Sequence, residues 1–182
     1  GLRSGDRTMP EEVNRIITDA ICDHLFITEH SGLINLAKEG VDDSKISYVG
    51  NVMIDSLVHF REKAAKSAVL EDIGASEKEY ILMTMHRPHN VDNAESLKDI
   101  LEIIKNAAEQ KQVVFAIHPR TSNNMKRFGL YEELEQIDNL VLLGPQGYLE
   151  FLKLMDNAAL IITDSGGIQE ETTFLQVPCM TF

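Results

Sequence analysis

The sequence has 182 residues, of which 43% are apolar and 25% charged, a balance typical of globular proteins. It carries 17 basic and 29 acidic residues, and the resulting net charge of −12 argues against nonspecific binding to nucleic acid or to an anionic membrane surface. Two cysteines, Cys22 and Cys179, are too few for a disulfide framework, and no apolar run reaches membrane-spanning length, so we expect a cytoplasmic protein without membrane contact.

The first part of the chain alternates helical and strand-like patterns. A helix is predicted from Pro10, with Thr8 as its N-cap and Glu11 three residues after Thr8, as in a capping box. Acidic residues at a helix start are ordinarily explained by the helix dipole, which is the simplest interpretation of Glu11. Two short strands follow, at 25–27 and 46–49.

Strands and helices alternate more regularly from residue 80 onward, after a predicted domain boundary near Gly50 and a polar helical bridge. Apolar runs predict strands at 80–84, 113–117, 140–143 and 160–162. Amphipathic patterns predict helices at 94–109, 122–128 and 148–155. This alternation, with right-handed crossovers, predicts the α/β class with a parallel sheet that is covered on both faces.

Polar residues follow each of these four strands. They are His86-Arg87, His118 with Arg120, Gln146, and Ser165-Gly166-Gly167. In an open parallel sheet, ligands bind outside the carboxyl ends of the strands, and all four loops lie on that edge. A single histidine after a strand is usually structural. Two His/Arg clusters beside a glycine turn predict an anionic ligand, because arginine matches phosphate oxygens.

The turn after the fourth strand is the strongest candidate site. A strand that ends in Ser165-Gly166-Gly167 and opens a helix presents backbone N–H groups at the positive end of the helix dipole, which favours phosphate. One helical turn later, Glu171 can accept hydrogen bonds from a ribose diol. An ordinary loop with Ser165 as N-cap and two glycines for the turn is the alternative, and these residues alone leave it open.

Short segments spread along the whole chain carry a family resemblance. They are Gly1-Leu2-Arg3-Ser4-Gly5-Asp6, Pro10-Glu11-Glu12-Val13-Asn14-Arg15, Val49-Gly50-Asn51, His86-Arg87, Gly144-Pro145-Gln146 with Tyr148, and TDSGGIQEE from Thr163 to Glu171. Together they resemble the non-hydrolysing UDP-N-acetylglucosamine 2-epimerase family. The resemblance implies a GT-B-like fold of two Rossmann-like domains with an active site between them. Residues 1–50 would end the first domain, 51–79 would be the bridge, and 80–182 would form most of the second, UDP-binding domain.

The resemblance also implies roles for individual residues. Glu11 would be one of the family's catalytic carboxylates, and His86 would assist the departure of UDP. Arg87 and His118 would bind the substrate. Ser165, Gly166 and Gly167 would hold the diphosphate, Glu171 would bind the ribose, and Gln146 and Phe151 would line the uracil pocket. Two further family carboxylates lie upstream of Gly1, so we expect the sequence to be a fragment.

The resemblance implies interconversion of UDP-GlcNAc and UDP-ManNAc. It also implies that the enzyme is a homodimer. The C2 hydrogen has no adjacent carbonyl, so the family eliminates UDP across C1–C2 to give 2-acetamidoglucal and adds it back with a proton on the other face. No cofactor is expected, and no metal either, because only His86 and His89 have the spacing of a ligand pair. At Pro88-His89 the chain departs from many bacterial members, which have an arginine and a glutamate in a region that takes part in activation by a second UDP-GlcNAc.

Three other functions stay open. A hydrolysing relative would release free sugar, and a GT-B glycosyltransferase would transfer sugar only when an acceptor is present. A noncatalytic nucleotide-sugar-binding module would bind the ligand without exchanging its C2 hydrogen. Fold alone does not choose among these functions.

Residues 1–182 alone are expected not to epimerise UDP-GlcNAc. The resemblance puts the catalytic cleft between two domains and two of its three carboxylates upstream of Gly1. The measurement is solvent deuterium incorporation at C2 by the purified chain, compared with a protein-free control. Exchange above that control would contradict the assignment of roles.

Overall fold

A computed structural model describes residues 1–182, and the chain divides into two compact units, Gly1–Ser56 and Leu57–Phe182. The first unit contains α1 (Pro10–Ile21), β1 (Leu25–Ile27), α2 (His30–Lys38), a 3₁₀ turn (Asp43–Lys45), β2 (Ile46–Tyr48) and the start of α3 (Val52–Ala64). The division falls inside α3. The finer assignment of 1–50, 51–79 and 80–182 to two domains and a bridge stays a prediction.

The first unit is built on a two-stranded parallel sheet in which Leu25 pairs with Ile46. Strand side chains alternate between faces, and here one face of β1 is apolar and buried. Leu25 and Ile27 lie on that face and pack with Leu36 of α2, whereas Phe26 on the other face is 70% exposed. The hydrophobic core of this unit is therefore small and one-sided.

The start of α1 differs from the predicted capping box. Met9 occupies the N-cap position without a side-chain cap hydrogen bond, and Pro10 begins the helix. Thr8 donates instead to Oδ1 of Asp6, from its backbone N–H at 2.9 Å and its hydroxyl at 2.7 Å. Asp6 thus closes a turn before the helix and engages the hydroxyl that would have capped it.

The second unit continues from α3, with strands and helices following one another along the chain. Its elements are α4 (Val69–Asp72), β3 (Tyr80–Thr84), α5 (Pro88–Val91), α6 (Ala94–Ala108), β4 (Gln112–Ala116), α7 (Pro119–Arg127), α8 (Tyr131–Glu135), β5 (Leu140–Leu143), α9 (Tyr148–Asn157), β6 (Leu160–Thr163), α10 (Gly166–Leu175) and β7 (Cys179–Thr181). The α/β class is confirmed, and each of the four strands predicted from residue 80 onward is present. None of the helices has both the length and the apolar character needed to span a membrane.

The five strands of the second unit form one parallel sheet in the order β5-β4-β3-β6-β7. From the central β3 the chain moves to β4 and β5 on one side, and then crosses to β6 and β7 on the other. The direction of winding therefore reverses between β3 and β6, which is where open α/β sheets bind ligands. Thr84 pairs with Thr163, so β3 and β6 end at the same level.

Both faces of this sheet are buried. Ile81 and Met83 of β3 belong to a core that includes residues of α6, and Tyr80 and Leu82 belong to a second core that includes residues of α3 and α9. A strand covered on both faces needs an unbroken apolar sequence, which explains the run in β3. The sheet edge that carries the polar loops is consequently supported from two sides.

Because β3 is central and β7 is at the edge, replacing a methionine by alanine should affect stability differently in the two strands. Met83 is fully buried, so Met83→Ala should lower the free energy of unfolding by about 2–5 kcal/mol. Met180, in β7, is 55% exposed, so Met180→Ala should change it by only about 0.5 kcal/mol. Urea denaturation measures both, and similar losses would contradict this difference in burial.

Candidate functional site

The loops after β3 and β6 are tied together by one carboxylate. Asp164 follows β6 directly, and its side chain is 0% exposed. It accepts hydrogen bonds from the backbone N–H of His86 at 3.0 and 3.1 Å and from that of Arg87 at 2.7 Å. Because β3 and β6 are neighbours, these contacts hold the His86-Arg87 segment beside the turn that opens α10.

Two side chains complete the surroundings of this carboxylate. The Asn90 side-chain amide donates to Oδ2 of Asp164 at 3.1 Å, and Nδ1 of His86 lies 2.9 Å from Oδ1. Burial alone would raise the pKa of Asp164, but hydrogen bonds from the Arg87 and His86 amides and from Asn90, with the nearby His86 ring, bring it below its ordinary value. Asp164 is therefore a buried carboxylate that is ionised at neutral pH.

Asp164 and Asn90 belong to the site, although neither is among the site residues that the sequence predicts. The signal for Asp164 is an acidic residue directly after a buried strand, where a carboxylate must find donors. Asn90 has no comparable signal, since it reaches Asp164 through α5, a four-residue helix that the sequence pattern does not predict.

The turn between β6 and α10 has the predicted strand–turn–helix form. Ser165 is at the N-cap position of α10, but its side chain makes no cap hydrogen bond. A Cβ built on Gly166 would have Arg87 Nη2 as its nearest neighbour, at 4.0 Å. The helix N-terminus therefore keeps amide groups that no cap side chain covers, and a guanidinium lies next to them.

Glu171 is half-buried in the second turn of α10. Its burial, followed by the charge of Glu170, raises the pKa of its carboxyl. Burial, together with the charge of Glu171, also raises the pKa of Tyr148 at the start of α9. Tyr148 is therefore close enough to α10 for its hydroxyl to be influenced by the Glu171 charge.

His118 joins His86 at the carboxyl end of the neighbouring strand β4. Its Nδ1 accepts a hydrogen bond from the backbone N–H of Arg120 at 3.2 Å and so caps α7, which starts earlier than predicted, at Pro119. The His118 ring centroid lies 5.9 Å from that of His86. Arg120, which the sequence suggested as an anion ligand, forms a two-pronged pair with Asp92 at 2.7 and 2.5 Å.

The two predicted uracil-contacting residues lie in the loop after β5 and in α9. The Gln146 side-chain amide donates to the backbone oxygen of Gly144 at 3.0 Å, within its own loop after β5. Phe151 lies in α9 and is half-buried against the core that contains Leu82.

Glu11 belongs to the first unit and lies exposed in the first turn of α1. The adjacent Glu12 is only 2% exposed and accepts hydrogen bonds from the backbone N–H of Ser4 at 2.9 Å and of Gly5 at 3.0 Å. The bonds from these amides lower the pKa of Glu12. Glu12 therefore has a structural role, which leaves Glu11 as the acidic side chain of this turn that faces solvent.

No group of three or more His, Cys, Asp or Glu side chains in residues 1–182 is arranged to hold a metal ion. At the edge between β3 and β6 the second unit instead brings together the Arg87 guanidinium, the amides at the start of α10 and the buried Asp164 carboxylate. Such an arrangement is suited to an anionic ligand at the sheet edge.

Comparison with known proteins identifies the family. The sequence profile described as UDP-N-acetylglucosamine 2-epimerase matches residues 1–182. The chain belongs to this family. A UDP-N-acetylglucosamine 2-epimerase of Methanocaldococcus jannaschii is 44% identical over 100% of this chain and 51% of its own length. A UDP-2,3-diacetamido-2,3-dideoxy-D-glucuronate 2-epimerase of Pseudomonas aeruginosa is 40% identical over 100% of this chain and 49% of its own length.

Solved epimerase structures resemble the chain as well. The crystal structure of the Methanocaldococcus jannaschii UDP-GlcNAc 2-epimerase in complex with UDP-GlcNAc and UDP superposes with a TM-score of 0.85 at 44% identity, covering 100% of this chain and 51% of that one. The Neisseria meningitidis enzyme bound to UDP-GlcNAc gives 0.81 at 29% identity, over 100% of this chain and 50% of that one. The chain spans about half the length of the curated relatives it matches.

In this epimerase-family chain the buried carboxylate predicts a specific pH dependence of stability. Asp164→Asn should lower the free energy of unfolding by about 1–3 kcal/mol at pH 7, because an amide cannot accept all the bonds that Asp164 accepts. Since the folded-state pKa of Asp164 is depressed, its contribution is present above about pH 4 and is lost as the pH falls through that folded-state pKa.

The difference in stability between wild type and Asp164→Asn should therefore shrink as the pH is lowered from about 7 to 2. Urea denaturation across this range measures the difference. Asp138→Asn, at an exposed aspartate of the same unit, controls for the loss of one negative charge. A difference between wild type and Asp164→Asn that stays constant with pH would contradict the ionised, hydrogen-bonded state of Asp164.

Proposed function

We propose that residues 1–182 are the UDP-binding half of a non-hydrolysing UDP-GlcNAc 2-epimerase. The complete enzyme, a homodimer, would interconvert UDP-GlcNAc and UDP-ManNAc by eliminating UDP across C1–C2 and adding it back. The observation that carries this proposal is the sheet edge between β3 and β6, where Asp164 holds His86 and Arg87 beside the N-terminus of α10.

The diphosphate would bind at the start of α10. Backbone amides near Ser165, Gly166 and Gly167 would donate to phosphate oxygens, helped by the positive end of the helix dipole. Arg87 is exposed and adjacent, so its guanidinium can pair with a phosphate oxygen at no expense to an existing ion pair. This local set of donors offsets the repulsion expected between an acidic protein and an acidic ligand.

His86 and His118 would act at the diphosphate oxygen on which negative charge develops during the reaction. When the C1–O bond breaks, its electron pair moves to the leaving diphosphate, and donors fixed beside that oxygen stabilise the transition state. His86 is held by Asp164 at Nδ1, and its side chain is 42% exposed. His118 lies next to it and can contact the same ligand.

The nucleoside would extend toward α9 and α10. Glu171 would accept hydrogen bonds from the ribose hydroxyls, and Gln146 and Phe151 would line the uracil. In the first unit, the exposed Glu11 would be one of the carboxylates that exchange the C2 proton.

The nucleotide site is tested by adding a Cβ where phosphate would approach. The Cβ added by Gly166→Ala meets no protein atom closer than 4.0 Å, and alanine is favoured over glycine in helices, so the fold should be retained. UDP binding should weaken at least about tenfold, because the methyl group occupies space needed by a phosphate oxygen. Calorimetry with UDP measures the affinity, and urea denaturation checks the fold.

Glu171→Ala should weaken UDP binding by about 1–3 kcal/mol, since it removes bonds to a charged acceptor. Thr173→Ala, on the exposed side of the same helix, is the matched control and should leave the affinity unchanged. Unaltered affinity in both Gly166→Ala and Glu171→Ala would place UDP elsewhere.

The reaction is tested on the full-length natural protein that contains these residues. Formation of UDP-ManNAc from UDP-GlcNAc with one solvent deuterium at C2 is the expected result. Release of free sugar, or transfer that depends on an added acceptor, would contradict the proposal and identify the hydrolysing relative or the glycosyltransferase. Binding without exchange at C2 would identify the noncatalytic module.

A further inference from the structure

The Asp164 carboxylate is saturated by donors from one short loop. Oδ1 accepts from the His86 backbone N–H at 3.1 Å and lies 2.9 Å from His86 Nδ1. Oδ2 accepts from the backbone N–H of His86 at 3.0 Å and of Arg87 at 2.7 Å, and from the Asn90 amide at 3.1 Å. A carboxylate has about four lone-pair sites, so Asp164 has no acceptor capacity left for a ligand. Any effect of Asp164 on a ligand must pass through the groups it holds.

Contact with Asp164 decides where the His86 ring carries its hydrogen. An ionised carboxylate only accepts hydrogen bonds, so the ring nitrogen that faces it, Nδ1, must be the one that is protonated. In the neutral ring the other nitrogen, Nε2, then carries no hydrogen and has a free lone pair. The position of the ring hydrogen is thus assigned from the partner of Nδ1.

His118 has the opposite arrangement. Its Nδ1 accepts the Arg120 backbone N–H, so in the neutral ring Nε2 must carry the hydrogen. The two rings, with centroids 5.9 Å apart, thus have Nε2 atoms in different protonation states at the same sheet edge. His118 offers a fixed donor there, whereas His86 offers a nitrogen that can take up a proton.

We infer that Asp164 is a positioning residue that fixes His86 in the Nδ1–H form and turns Nε2 toward the diphosphate. The identity of the ligand rests on the proposed function, but the form of the ring does not. An anion requires a donor, so Nε2 takes up a proton from solvent when diphosphate binds, and the buried negative charge of Asp164 balances the imidazolium. The other groups that face or adjoin the ring are His118, from the start of α7, and Arg87, from the same loop.

A purely structural role for Asp164 makes a different prediction. If Asp164 served only to close the loop, any variant that loosens the loop would affect His86 in the same way. Asn90→Ala removes one donor from the carboxylate but leaves the contact between Asp164 and His86, whereas Asp164→Asn removes the charge that selects the ring form. This pair of variants separates orientation of the ring from closure of the loop.

The experiment is nitrogen-15 NMR of the histidine rings in the 182-residue chain at a pH where His86 is neutral. Long-range couplings identify which ring nitrogen carries the hydrogen, and His86→Gln assigns the His86 signals. Wild type and Asn90→Ala should both show His86 with hydrogen on Nδ1. Asp164→Asn should show a mixture of the two neutral forms or the form with hydrogen on Nε2.

An Nε2–H form of His86 in the wild-type chain overturns the inference, and so does an unchanged Nδ1–H form in a folded Asp164→Asn. If Asp164→Asn does not fold, the spectra of wild type and Asn90→Ala decide in the same way. Adding UDP to the wild-type sample tests the next step, in which Nε2 should shift toward its protonated value while Nδ1 stays protonated. Shifts of the Gly166 and Gly167 amides report UDP binding separately, so a failure of the proposed function is distinguishable from a failure of this inference.

Discussion

The second unit depends on the placement of one ionised carboxylate in its interior. Burying a charge is strongly unfavourable unless hydrogen bonds replace the lost water, and Asp164 achieves this with donors from a single loop. If the loop moved away, the carboxylate would lose these donors, and if the carboxylate were protonated, the bonds would weaken. The position of the His86-Arg87 segment at the sheet edge is therefore fixed by electrostatics as much as by packing.

The local charge at this edge is opposite to that of the whole chain. With a net charge of −12, the protein would repel an anion at long range, and attraction must come from the few groups that point at the site. Those groups are fewer than the sequence suggests, because Arg120 is already paired with Asp92, a contact that lowers the pKa of Asp92. What is left are Arg87, the two histidine rings and the backbone amides of α10, and backbone amides carry their partial charge at every pH.

The two units differ in the amount of core that supports them. The second unit has an apolar core on each face of its sheet, whereas the first buries mainly Leu25, Ile27 and Leu36. On the first unit, Val13, Ile17 and Ile21 form a line of exposed apolar side chains along α1. Stability follows the apolar area removed from water, so we expect local opening to involve the first unit more than the sheet that carries the nucleotide site.

The sequence by itself determined most of the secondary structure and the edge at which the polar loops gather. Apolar runs, amphipathic spacing and turn residues act over a few neighbours, so they can be interpreted without knowing the fold. The Ser165-Gly166-Gly167 turn was predicted for the same reason, since a strand, a small-residue turn and a helix follow one another directly. The local predictions that were wrong, such as Thr8 as N-cap, failed where a nearby side chain offered a competing hydrogen bond.

Only the tertiary structure decided how the loops are joined. Asp164 contacts residues 74 to 78 positions earlier in the chain, which is possible because β3 and β6 are adjacent in the sheet. The pairing of Arg120 with Asp92 and the burial of Glu12 rather than Glu11 are likewise three-dimensional facts. Each depends on which donors and acceptors remain without a partner once the strands have paired, and that depends on strand order, which local sequence patterns do not encode.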